Sequence, residues 1–442
     1  MNKTKWGAIQ ILSGGAYFGA EKAFASDAAW VIGYPGFDAA NERIPLEYFQ
    51  KKGKKIPYFV WDRQPLDLDI RSDQQYIASQ YYDTKDPGNE LFNLMKGTDV
   101  VIAVPFCSAL SMASGTQDEN KRGSEGIQNN NLKFITDYTL GVIKPKAYIF
   151  ENAPALYTNR GKGVRDILDA AAEKWGYSIT YVKTNTNVHS NVQYRQRTFA
   201  IFWQWPDGKK CPPPKIGFYN DPKTDVIEFL SKIPANATHN DKIEDDCGKV
   251  SVLKSPLYQF MVHKYGVPGY RHILEQNKSD IGLGYHIITH GLYDECLEFM
   301  LKNPPQCAPA VETFKRWKSK VDMGMGYWDY SPNYYGNKKM PTVYFKTVPR
   351  NIHASEERGY TIREYMTLMG YPFDCDWPEG LDDFIHRIGQ NVPVQTMADW
   401  CTEINNVVQN WDIKRKDFAG TENTYYHDNL KPPTEKKVGF NF

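Results

Sequence analysis

Four short clusters in this 442-residue chain hold residue types that chemistry uses. Val104-Pro105-Phe106-Cys107-Ser108 closes a β-branched run, Asp99 to Val104. A strand end aims the Cys107 thiol at the ligand face of a sheet, where a lowered pKa makes a thiol a nucleophile. A small buried cysteine with no chemistry fits the same place. Phe150-Glu151-Asn152-Ala153 also ends an apolar strand. A carboxyl group there is desolvated, so it keeps its proton and can donate it, or it simply caps a turn. Gln193-Tyr194-Arg195-Gln196-Arg197 leads into a third strand. Alternate strand residues share a face, so Gln193, Arg195 and Arg197 are expected to point one way. Two guanidiniums in a row suit phosphates or a base oxygen, and they also suit a solvated edge strand. Ser13-Gly14-Gly15-Ala16-Tyr17-Phe18-Gly19 sits between a strand and a helix. Its glycines let the backbone approach a ligand, or only make a tight connection.

These clusters need a scaffold, and the first half of the chain supplies one. Short apolar runs at Trp6 to Leu12, Ala29 to Gly33, Ile56 to Trp61, Asp99 to Val104, Ala147 to Phe150, Ser178 to Val182 and Thr198 to Trp203 read as strands. Helical patterns lie between them, at Tyr17 to Ala25, Asn131 to Val142 and Val164 to Trp175. Continuous apolar strands alternating with helices predict a mainly parallel sheet covered on both faces. Ligands in such folds bind beyond the carboxyl ends of the strands. Near Trp205-Pro206 the texture changes to Pro, Tyr, Asn and Lys with no regular period, and residues 201–350 carry 20 Lys and Arg against 16 Asp and Glu. Regular periodicity returns near Arg358 and runs through Trp400 to Val408. Lys414 to Phe442 is polar and reads as a surface arm.

Composition narrows the class. With 41% hydrophobic and 24% charged residues the chain is globular, and its length suggests about two to three domains. No apolar run reaches membrane-spanning length, and the first residues lack a signal-peptide core, so a cytoplasmic protein without a membrane partner is expected. Seven cysteines without a Cys-x-x-Cys pair predict neither a disulfide framework nor a metal site. A net charge of +1 leaves nucleic-acid binding to local patches.

The order of the clusters resembles the cytosine-C5 DNA methyltransferase family. Two later segments add to it: Arg358-Gly359-Tyr360-Thr361-Ile362-Arg363-Glu364 with Gly370-Tyr371-Pro372, and Gly389-Gln390-Asn391-Val392-Pro393. The resemblance covers residues 6–203 and 355–408. It departs from the family pattern at Phe106, where the family has Pro, at Leu12 for Phe, at Ala153 for Val, and at Gln390-Asn391 for Asn-Ser. The resemblance implies an α/β fold: a Rossmann-like methyltransferase sheet with helices on both faces, plus a smaller irregular target-recognition domain. It implies a catalytic domain over 1–205, a recognition domain over 206–355 and a hinge with C-terminal segment over 356–442. It further implies S-adenosylmethionine as cofactor and double-stranded DNA as partner, with a flipped cytosine methylated on carbon 5. Cys107 would attack, Glu151 would bind ring nitrogen 3, Arg197 would bind the base oxygen, and Arg195 and Gln193 would support the Cys107 loop or a phosphate; Ser108 would lie against substrate. Leu12, Ser13, Gly14, Gly15 and Phe18 would surround the methionine end. Phe37 would stack on adenine, Asp38 is the nearest match to a ribose-binding acid, Asp62 would meet the adenine amino group, and Gln390 or Asn391 would close the pocket. Lys315, Arg316, Lys318 and Lys320 are candidates for phosphates, or a solvated helix face. The resemblance implies a monomer serving restriction–modification or phage DNA protection. A tRNA cytosine-5 methyltransferase, a relative transferring another group, and an inactive DNA-binding relative remain as alternatives.

Overall fold

The structure is a computed structural model. It describes residues 3–34, 37–61, 76–78, 82–105, 127–217, 219–240, 252–276, 282–325, 331–337, 340–341, 351–381, 384–414 and 424–428. The strands are β1 (Trp6–Ile9), β2 (Trp30–Gly33), β3 (Tyr58–Trp61), β4 (Tyr76–Ala78), β5 (Val100–Ala103), β6 (Ala147–Asn152), β7 (Tyr177–Asn185), β8 (Gln193–Tyr194), β9 (Gln196–Gln204), β10 (Met340–Pro341) and β11 (Thr424–Asp428). The helices are α1 (Gly15–Phe24), α2 (Phe37–Lys51), α3 (Pro87–Met95), α4 (Ile127–Tyr138), α5 (Lys162–Trp175), α6 (Val226–Leu230) and α7 (Pro256–Gln276), then α8 (Leu283–Thr289), α9 (Tyr293–Lys302), α10 (Val311–Asp322), α11 (Ile362–Leu368), α12 (Phe384–Gly389), α13 (Val394–Gln409) and α14 (Trp411–Lys414).

Nine strands form one sheet in the order β11-β7-β9-β6-β5-β1-β2-β3-β4. The run β6-β5-β1-β2-β3 is parallel, and β9 lies antiparallel between β6 and β7. Side chains alternate between two cores, as a period of two requires. Ala8, Val31, Ile102, Ile149, Phe199 and Ile201 pack on one face with α1, α11 and α13. Ile9, Ile32, Val101, Phe150, Ala200 and Phe202 pack on the other with α3, α4 and α5. Both faces are covered, so these strands carry almost no polar residue.

Local signals fix the helix ends. Asp86 caps α3 ahead of Pro87, Gly176 ends α5 at φ 80°, and Thr361 with Glu364 forms a capping box on α11. Three of the differences from the sequence reading matter. The segment expected to be irregular builds a helical unit with its own core, from Val252 through Met261, Ile287, Phe314 and Trp317 to Ile352. Within the expected 206–355 module, Ile216, Tyr219, Val226, Phe229 and Leu230 pack on the sheet's core instead. Residues 424–428, expected in a surface arm, join the sheet as a parallel edge strand beside β7.

Candidate active site

The ligand end of the sheet brings β6, β7 and β9 together. In their registers Glu151 lies opposite Phe199, and Arg197 lies opposite Thr184. Opposed residues share a face, and so do Arg197 and Phe199, so Glu151, Arg197 and Thr184 all face the α13 side. Glu151 is 4% exposed, and its Oε1 stands 3.0 Å from Arg197 Nε. The contact is an ion pair by distance without hydrogen-bond alignment, so Oε1 makes no hydrogen bond. Burial pushes the Glu151 carboxyl above the usual carboxylate range, and Arg197 and Arg195 only partly pull it back. A buried acid held beside a guanidinium can donate a proton to a ring nitrogen while the cation binds a neighbouring oxygen.

The Gln193–Arg197 run is not one strand, which corrects the expectation of a single shared face. β8 pairs with β10 in a separate ribbon, and Arg195 falls in the break before β9. Gln193 is buried, and its side-chain amide donates to the Leu368 carbonyl at 3.1 Å. Arg195 is also buried, and its guanidinium donates to the carbonyls of Gly389 at 2.6 Å and Asn391 at 2.8 Å. Hydrogen bonds from a charged donor contribute about 1.5–3 kcal/mol each. Arg195 is thus a clamp on the 389–393 loop.

That loop in turn holds the Gly-rich turn. Asn391 Oδ1 accepts from the Gly15 N–H at 2.8 Å, and Asn391 Nδ2 donates to the Tyr371 hydroxyl at 2.7 Å. The Tyr371 hydroxyl donates to the Ser13 carbonyl at 2.7 Å, and Ser13 Oγ donates to the Arg387 carbonyl at 2.5 Å. From below, the buried Glu42 of α2 accepts from the Ile11 N–H at 3.0 Å and from the Tyr58 hydroxyl. Between these supports Gln10, Leu12 and Gly14 all have left-handed backbone, at φ 56°, 49° and 95°. Left-handed non-glycine residues persist only where the surroundings impose them, and they gather at ligand sites. The result is a fixed backbone turn just beyond the carboxyl end of β1, where sheets of this kind bind ligands. The glycines themselves serve packing: a Cβ on Gly15 would stand 1.9 Å from the Val392 carbonyl, and one on Gly14 2.7 Å from Pro45.

Other expected residues divide. Gln390 accepts from Asn41 Nδ2 at 3.3 Å, beside the same turn. Phe18 packs as core against Tyr48, Phe49 and Tyr371, and lines a cavity of about 590 Å³ between α1, α2 and residues 370–395. This packing gives no support to a cofactor contact. Phe37 and Asp38 open α2, with side chains outside the described residues, as are Cys107, Ser108 and Asp62 altogether. On α10, Lys315 pairs with Glu312 and Lys318 with Asp322, while Arg316 and Lys320 carry no ion pair among the described residues. Sequence reasoning missed Glu42, Tyr371 and Arg387 as supports of the turn. Only Tyr371 had a signal, within Gly370-Tyr371-Pro372.

A family model for the C-5 cytosine-specific DNA methylase matches residues 75–406, three quarters of the chain. The chain belongs to the C-5 cytosine-specific DNA methylase family. It is therefore a member of a methyltransferase family, whose fold its sheet shares. Among its relatives, the type II methyltransferase M.Bpa9945I of Bacillus paralicheniformis is 21% identical over 318 residues, 67% of each protein. The type II methyltransferase M.AgeI of Thalassovita gelatinovora is 27% identical over 129 residues, 29% of this chain and 28% of that protein. This chain thus aligns with little more than a quarter of the M.AgeI length. A prophage-encoded E. coli protein, named as a DNA modification methyltransferase, superposes with TM-score 0.51 at 16% identity, covering 92% of this chain and 99% of its own. That likeness bears on fold. Among the described residues of this C-5 methylase relative, no helix is long and apolar enough to cross a membrane.

Proposed function

We propose that the chain is a DNA (cytosine-5)-methyltransferase that moves a methyl group from S-adenosylmethionine to carbon 5 of a cytosine flipped out of double-stranded DNA. The observation that carries this reading is the buried Glu151–Arg197 pair at the ligand end of the sheet, in a member of the C-5 methylase family. Carbon 5 of cytosine is a weak nucleophile. A Cys107 thiolate adding to carbon 6 forms a covalent adduct and pushes ring electrons toward carbon 5 and nitrogen 3. Glu151, whose burial favours the protonated form, donates to nitrogen 3 as charge develops there. Arg197 binds the neighbouring base oxygen and orients the ring. Gln193 and Arg195 hold the surrounding backbone. The bound cofactor supplies an electrophilic methyl group. Leu12, Ser13, Gly14 and Gly15 would lie against it, with Phe37, Asp38, Asp62, Gln390 and Asn391 around it. Solvent water then takes the carbon-5 proton, the carbon 6–sulfur bond breaks to return the Cys107 thiolate, and nitrogen 3 gives its proton back to Glu151.

Four of the six other cysteines are poor candidates for the nucleophile. Burial pushes Cys211 up to about 11 and Cys375 up to about 12, and Cys296 and Cys401 higher still. None of these four is a thiolate near neutral pH. The helical unit around Trp317 supports DNA over tRNA, as a recognition module gripping the duplex, with Arg316 and Lys320 as its open cations. The type II relatives favour a restriction–modification or phage-protection setting in a bacterial cytoplasm, with the chain acting as a monomer. The test is Cys107→Ala. We expect methyl transfer to vanish while calorimetric cofactor binding stays unchanged; near-normal turnover would overturn the mechanism.

A further inference from the structure

We propose that His189 is a positioning residue for the catalytic corner, pinning α13 to the end of β7 and thereby holding Arg197 against Glu151. The inference rests on the reading of Glu151–Arg197 as the base-binding pair. His189 follows a short turn after β7 and is buried, with 1% exposure. Its Nδ1 lies 2.8 Å from Asp399 Oδ2 on α13, and its Nε2 lies 2.6 Å from Thr184 Oγ1 on β7. With the Nδ1 hydrogen directed at Asp399, Nε2 is the acceptor for the Thr184 hydroxyl.

Carboxylate, imidazole and hydroxyl in this order can activate a nucleophile. Thr184 is fully buried, so no substrate reaches it, and the chain of bonds is mechanical. Thr184 is the register partner of Arg197 across β7 and β9, on the same face. The His189 ring also sits between Tyr219 at 5.0 Å and Trp400 at 5.6 Å. Trp400 reaches Phe199, the residue opposite Glu151. Asp399 is held in its turn by Gln395 at 2.6 Å, and Tyr219 bridges the Asp399 carbonyl and Glu403. Moreover α13 starts directly after the loop whose Asn391 holds Gly15. One helix therefore ties the cofactor turn to the base-binding corner, and His189 is the tie at the base-binding end.

The test uses the full chain and two readouts. His189→Phe keeps an aromatic ring and removes both hydrogen bonds; His189→Gln restores part of the hydrogen bonding; Asp399→Asn keeps the shape and weakens the bond. Amide exchange in the cofactor-free protein should quicken about tenfold over residues 183–199 in His189→Phe and little elsewhere. Steady-state methylation of DNA should lose about tenfold in kcat, with cofactor Kd and KM for DNA within about twofold, and His189→Gln should recover part of the loss. Unchanged exchange in that stretch, or a lowered melting temperature with kcat intact, would overturn the proposal. If His189→Phe does not fold, Asp399→Asn carries the same readouts. A wild-type protein that leaves DNA unmethylated would defeat the functional reading, and the exchange result would then decide the positioning role by itself.

Discussion

In the proposed reaction, Glu151 concentrates the chemistry in one side chain. Its pKa is raised, so the folded state holds its proton more tightly than the unfolded state does. The sign follows: protonation favours the folded, proton-donating form, and both stability and donation decline as pH rises through the raised value. We predict that kcat falls on the alkaline side of that titration, and that Glu151→Gln, which still donates an N–H but cannot transfer a proton, removes this limb and lowers kcat about a hundredfold. A pH–rate profile of both proteins checks it. Glu151 and Arg197 were legible in the sequence because a polar residue ending an apolar strand stands out. The clamp role of Arg195 was not, because its partners Gly389 and Asn391 lie almost two hundred residues away and no local pattern encodes them.

At the scale of elements, two devices position the site. The first is the contact of Gly15 with the 389–393 loop. Gly15→Ala would force a Cβ into the Val392 carbonyl, which is backbone and cannot swing aside. Overpacking of this kind costs about 1–3 kcal/mol, and we expect a lower melting temperature together with weaker cofactor binding. The second is the connection before α11. Arg358 donates two bonds of 2.8 Å to Glu364, whose carboxylate also accepts from the Thr361 N–H at 2.7 Å and faces His353. Burial, the largest single influence, would raise the Glu364 carboxyl, but the bonds from Arg358, His353 and the Thr361 N–H together with the Arg358 charge outweigh it and hold the group at about 2. A depressed carboxylate stabilises the fold above its unfolded pKa and loses that contribution as pH falls. The shift corresponds to about 3 kcal/mol, lost between roughly pH 4.5 and 2. Acid unfolding of Glu364→Gln should lack this step. The sheet elements themselves were legible, since buried strands read as unbroken apolar runs. β11 was not, because Thr424-Tyr425-Tyr426-His427-Asp428 is polar and adds at an edge. Nor were the helices after Trp205, where α8 is short and α7 is interrupted by Gly266 and Pro268.

For the whole molecule, the division between the sheet's cores and that of the helical unit defines what can be separated. The helical unit's core runs from Val252 to Ile352, whereas Val226, Phe229 and Leu230 belong to the sheet core on the α13 side. Replacing residues 252–337 with a short linker should therefore leave a folded, cofactor-binding protein that no longer selects a DNA sequence. Removing 206–350 also strips apolar side chains from the sheet's core, and should lower the melting temperature markedly; equal stability of the two deletions would show that this division is wrong. The central claim is the reaction itself. Its most direct test is nucleoside mass spectrometry after incubating the chain with S-adenosylmethionine and unmodified double-stranded DNA, with tRNA in parallel. New 5-methylcytosine is expected in the DNA digest alone. Methylated cytosine only in the tRNA digest, or no product in either from a folded protein that binds DNA, would contradict it.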